Sequence, residues 1–86
     1  MGTNMEQVKK AFYEAVQKLE QELGCQIHAR DEGNTLYMII SCNDFVKSLI
    51  NKVKQSVSPK VLKMLEIDGT AVQNFMVIRI RVIQNG

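Results

Sequence analysis

"CQIHARDEGNTLYMIISC", residues 25–42, sets two alternating apolar and polar runs on either side of Gly33-Asn34. Gly and Asn between such runs are the residues of a tight hairpin turn, because they tolerate the positive φ that the turn demands. A two-residue turn centred there puts Glu32 opposite Thr35, Ala29 opposite Met38, Ile27 opposite Ile40 and Cys25 opposite Cys42. This register gathers Cys25, Ile27, Ala29, Leu36, Met38, Ile40 and Cys42 on one face, and Gln26, His28, Arg30, Tyr37, Ile39 and Ser41 on the other. A slip of one residue would mix the two sets, so hydrophobic pattern and turn chemistry agree. Strands are expected over residues 25–31 and 35–42.

The hairpin is flanked by two helical patterns. Upstream, Met5, Val8, Phe12, Ala15, Val16, Leu19 and Leu23 recur at three- and four-residue steps, with Lys9, Lys10, Glu14, Lys18, Gln21 and Glu22 between them. That is one apolar stripe on a helix over residues 4–23, capped by Thr3 or Asn4 and stopped by Gly24. Downstream, Val46, Leu49, Ile50, Val53 and Val57 predict a second helix over residues 43–57, with Ser41 or Asn43 as cap and Asp44 at the positive dipole end. Its polar side carries Lys47, Lys52 and Lys54, joined further on by Lys60 and Lys63. Such a lysine face usually means solvation, although it could touch phosphates.

Ser58-Pro59 reads as another helix start, since Pro suits the first helical position and Ser can cap it. A short helix over residues 59–66 is expected, the alternative being a strand through Lys63 to Ile67 that turns at Asp68-Gly69. Gly69 to Gln73 is expected to be a loop. The last element is "NFMVIRIRV", residues 74–82, within a strand over 74–83. Met76, Ile78, Ile80 and Val82 fall on one side of it; Phe75, Val77, Arg79, Arg81 and Ile83 fall on the other.

These elements make one α+β domain spanning residues 1–86, in the order α-β-β-α-(short α)-β. A three-stranded, antiparallel-containing sheet would have its helices on one face. The uncovered face would then collect Tyr37, Ile39, Phe75, Val77, Arg79, Arg81, His28 and Arg30 as a candidate interaction surface. Aromatic and arginine side chains are enriched at interface centres. A protein partner suits the branched aliphatic residues, and a homodimer is expected, formed either by packing these faces together or by joining an edge strand, because a small domain gains stability by burying more surface. The alternative is single-stranded nucleic acid, with bases on the aromatic rings and arginines on the backbone. Against both stands a face that does nothing, its arginines merely blunting an exposed sheet.

The composition bounds these readings. The chain has 86 residues, 45% of them apolar, and 11 Lys+Arg against 9 Asp+Glu, a net charge of +2 too weak to demand a nucleic-acid partner. No glycine-rich phosphate loop, paired-carboxylate site or nucleophile elbow is present, so neither an enzyme nor a small-molecule substrate is expected, and no cofactor is inferred. Two cysteines and one histidine fall short of a zinc ligand set, and His28 reads as a surface residue. No apolar run approaches the roughly 18 residues of a membrane span, and no signal or myristoylation pattern opens the chain, so a cytoplasmic protein with reduced, core-filling cysteines is expected, the alternative being a cross-strand Cys25–Cys42 disulfide in an oxidising compartment.

Overall fold

The computed structural model describes residues 3–41 and 46–83. Its elements are α1 (Thr3–Leu23), β1 (Ile27–Asp31), β2 (Thr35–Ile40), α2 (Val46–Ser56), α3 (Pro59–Leu62), β3 (Leu65–Val72) and β4 (Phe75–Val82). The four strands form one antiparallel sheet in the order β1-β2-β4-β3. The fold is therefore α+β with a four-stranded sheet, one strand more than the sequence pattern suggested.

The first hairpin has the expected register: Ile27 faces Ile40, Ala29 faces Met38, and the Glu32 N–H donates to the Thr35 carbonyl at 2.9 Å. Gly33 takes φ +80 at the first turn position, a left-handed conformation that glycine adopts without strain. The Gly33 N–H also donates to Asp31 Oδ1 at 3.0 Å, fixing the turn from within.

The missing strand is β3. Residues 59–66 were expected to be helical, but α3 ends at Leu62 and the chain is extended from Leu65 onward. Ser58 and Pro59 start α3 as anticipated, the Ser58 hydroxyl accepting the Val61 N–H at 3.4 Å. Asp68-Gly69 does not turn. Gly69 lies in mid-strand opposite Ile78, and the reversal comes at Gln73-Asn74, where Gln73 takes φ 54. The alternation in β3 is real at Leu65 and Ile67, then continues as Gly69 and Ala71, which do not look like core positions in a sequence.

Helices cover one side of the sheet. Val8, Phe12, Ala15, Val16 and Leu19 of α1 join Leu49 and Val53 of α2, and Leu36, Met38, Ile40, Ile78 and Ile80 of the central strands, in one buried cluster. Burying each of the Val, Leu, Ile, Met and Phe side chains among them is worth about 1.5 to 3 kcal/mol. Gly24, at φ +66 with its N–H on the Glu20 carbonyl at 3.0 Å, ends α1 as its sequence position implied. The caps expected at Thr3, Asn4 and Asn43, and the role of Asp44, lie outside the described residues and side chains.

Cys25 corrects the expectation of reduced thiols: it is disulfide-bonded. Ile27 and Ile40, just inside it on the hairpin, occupy a non-hydrogen-bonded pair, because the flanking Ser41 N–H donates to the Gln26 carbonyl. Cys25 lies in a bend two residues before the first strand position. Cys42, the other cysteine of the chain, lies outside the described residues.

Candidate interaction face of the sheet

Strand pairing decides which side chains meet on the uncovered side. In one row across the sheet Arg30 faces Tyr37, Tyr37 faces Arg79, and Arg79 faces Asp68. In the next, His28 faces Ile39, Ile39 faces Val77, and Val77 faces Thr70. Thr35, Arg81 and Glu66 form a row at one end; Phe75 and Val72 form a pair at the other. All eight residues singled out from the sequence, His28, Arg30, Tyr37, Ile39, Phe75, Val77, Arg79 and Arg81, thus share one side. Glu66, Asp68, Thr70 and Val72 join them from β3, unforeseen because that strand was read as helix and loop.

Those additions change the electrostatics. The Arg79 guanidinium donates twice to Asp68, from Nε at 3.1 Å and from Nη2 at 2.6 Å, the planar fork geometry that arginine makes with a carboxylate. The hydrogen bond to Asp68, and then its charge, hold the Arg79 guanidinium above its already high ordinary range. Arg81 Nη2 donates to Glu66, and Arg30 Nε pairs with Glu32 at 2.6 Å. Each arginine of the face has its own carboxylate. The pairs are exposed, Arg79 at 50% and Asp68 at 60%, so solvent screens them and they add little to stability. Their effect is on charge: three guanidinium groups are answered locally by three carboxylates.

The other half of the face is apolar. Ile39 and Val77 are half-buried between their neighbours, while Phe75 at 44% and Val72 at 49% are exposed at the tip of the second hairpin. Beside them Gln26, His28, Ile39, Ser41 and Phe75, with Glu20 and Ile27, line a depression of about 390 Å³. Among the described residues no group of three or more His, Cys, Asp or Glu is placed to hold a metal ion. No described helix is long and apolar enough to cross a membrane.

The two edges of the sheet differ as well. In β1 the outward-pointing Ile27 N–H donates to Glu20 Oε2 of α1 at 2.9 Å, and Lys9 of α1 pairs with Asp31 at 3.0 Å. In β3 the residues whose backbone groups point outward are Leu65, Ile67, Gly69 and Ala71, as fixed by the Ile83 N–H on the Met64 carbonyl at 2.7 Å and the register with β4. Among the described residues no side chain or backbone group bonds to them.

No known family model matches this chain, and no curated protein matches it.

Proposed function

We propose that this chain is a non-enzymatic protein-interaction or regulatory module whose working surface is the outer face of its sheet, and that it acts with a protein partner, a second copy of itself included. One observation carries the reading. The charged half of the face is neutralised within itself by Asp68, Glu66 and Glu32, while the adjoining half exposes Phe75 and Val72 beside the half-buried Ile39 and Val77. A charge-balanced half beside an apolar half combines the two kinds of surface, polar and apolar, that protein interfaces join. The depression beside Phe75 and Ile39 is of a size to accept a side chain of the partner.

Nucleic acid, the alternative drawn from the same residues, needs cations free to replace counterions along a phosphate backbone. Arginines already bonded to carboxylates serve that purpose poorly. The disulfide-bonded Cys25 suits an oxidising compartment better than the cytoplasm expected from the sequence.

A photo-crosslinking side chain placed at Val77, on the face, and at Lys18, on the exposed side of α1, tests the reading in cells. A discrete crosslinked protein species is expected from position 77, absent from position 18, and lost when Ile39→Asp is introduced into the same chain. Identical products from both positions, or products indifferent to Ile39→Asp, would end the assignment of this face.

A further inference from the structure

We infer that two copies of this chain join through the β3 edge, antiparallel about a two-fold axis at Gly69, into one continuous eight-stranded sheet. The inference rests on the self-association part of the reading above and goes further by naming the seam, which leaves the apolar half of the outer face open.

The comparison of edges selects β3. Exposed strand edges are templates for further pairing, and folds protect them with short strands, charged side chains, proline or covering groups. β1 is five residues long and α1 reaches over it with Glu20 and Lys9. β3 is eight residues long, contains no lysine or proline, and presents the N–H and C=O groups of Leu65, Ile67, Gly69 and Ala71 in a row. Its two acids do not guard the edge, because Glu66 and Asp68 are drawn inward across the face to Arg81 and Arg79.

Charge selects the occupant and the register. An added strand must avoid acids opposite Glu66 and Asp68 on the outer side and continue an apolar underside beside Leu65 and Ile67. A second β3 satisfies both in a single arrangement. Centred on Asp68, two Asp68 carboxylates would face each other; centred on Ile67, Glu66 would face Asp68 twice. Like charges directly opposite destabilise a pair of strands. Centred on Thr70, the acids are separated but Glu66 and Ile67 fall beyond the strand they must pair with. Centred on Gly69, Asp68 lies opposite Thr70 of the other copy, Glu66 opposite Val72, and Ile67 opposite Ala71. The outward backbone groups of Ile67, Gly69 and Ala71 then meet their counterparts as hydrogen-bonded pairs, and glycine at the axis lets the two backbones approach without side chains between them.

Sedimentation equilibrium of the intact chain, with amide hydrogen exchange at low and high concentration, tests the seam. A dimer is expected in which the Ile67, Gly69 and Ala71 amides gain protection as concentration rises. Thr70→Glu, which sets a carboxylate against Asp68 of the other copy at two symmetric places, should weaken the dimer about tenfold at low salt, and Thr70→Lys should tighten it. Ala71→Pro removes an N–H that β4 does not use, so it should abolish the dimer while circular dichroism shows the fold retained. Phe75→Ser, on the open face, should leave the dimer unchanged. A dimer that responds to Phe75→Ser and ignores the Thr70 and Ala71 variants overturns the edge seam and leaves face-to-face association standing. A chain that stays monomeric at every concentration overturns the seam and self-association together, leaving the heterologous partner to the crosslinking experiment.

Discussion

The two hairpins of this protein solve the same problem with unequal resources. The β1–β2 hairpin turns on Gly33 at φ +80, has its outer edge held by Glu20 and Lys9, and carries a disulfide-bonded cysteine beyond its open end. The β3–β4 hairpin has longer strands, turns on Gln73 at φ 54, leaves Val72 and Phe75 exposed at its tip, and keeps a bare edge. Fastening and exposure are thus divided between them. The first hairpin is the more tightly fastened, while the second carries the exposed apolar tip and the edge that no described group covers.

The largest effects should separate the two sides of β4. Ile80→Ala and Ile78→Ala each empty a fully enclosed site and should cost about 2 to 5 kcal/mol in chemical denaturation. Replacing Arg79 and Arg81 together by Ser removes two exposed, solvent-screened ion pairs and should barely move the unfolding midpoint. If the arginine variant unfolds and the isoleucine variants are tolerated, the two sides have been assigned the wrong way round.

Next in size is the fastening of the first hairpin. Cys25→Ser should lower stability by about 2 to 4 kcal/mol in oxidised protein and change nothing once reductant is present in both samples. A loss that persists under reduction would show that packing of the half-buried Cys25, and not its bond, holds that end.

How much of this was legible in the sequence follows the same division. The first hairpin could be paired residue by residue because Gly33 supplies the positive φ and the apolar positions alternate without a gap. The second was missed. Gln73 is not a residue whose chemistry announces a turn, and the more familiar signal, Asp68-Gly69, sits inside a strand. The faces of β4 could be assigned correctly without β3, since alternation alone fixes them. The meaning of Arg79 and Arg81 could not, because their partners lie on the strand that went unseen. Similarly, a register expectation for Cys25 says nothing of its oxidation state.

The turns offer a smaller test. A non-glycine residue in the left-handed region costs about 1 kcal/mol, part of which glycine returns through the greater freedom of the unfolded chain. Gln73→Gly should therefore stabilise by up to about 0.5 to 1 kcal/mol, and Gly33→Ala should destabilise by a similar amount, both read from thermal unfolding. A gain at both positions, or a loss at both, would contradict the assigned backbone.

The smallest effect concerns Lys9 and Asp31, which tie α1 to the first hairpin. The hydrogen bond from Lys9, helped by the Gly33 N–H, holds the Asp31 carboxyl below its ordinary 3.8. A depressed carboxyl stabilises the fold above its unfolded value, and that contribution is lost as pH falls through the lower folded value. The loss belongs to the acid range below 3.8 and leaves neutral pH untouched. In Lys9→Met the Asp31 carboxyl, followed by NMR, should titrate at higher pH than in the parent chain. An unchanged titration would remove the ion pair from the account.

The claim on which the functional reading depends is that β3 neutralises the arginines of the outer face. Titration of single-stranded oligonucleotides at low salt measures this directly, using the parent chain and a variant carrying Glu66→Gln and Asp68→Asn. The parent should show no binding. The variant, with two guanidinium groups released, should acquire weak binding that falls with salt by a slope of about 0.7 per phosphate contacted. Tight, salt-dependent binding by the parent chain, no stronger in the variant, would contradict the neutral face and make nucleic acid the partner.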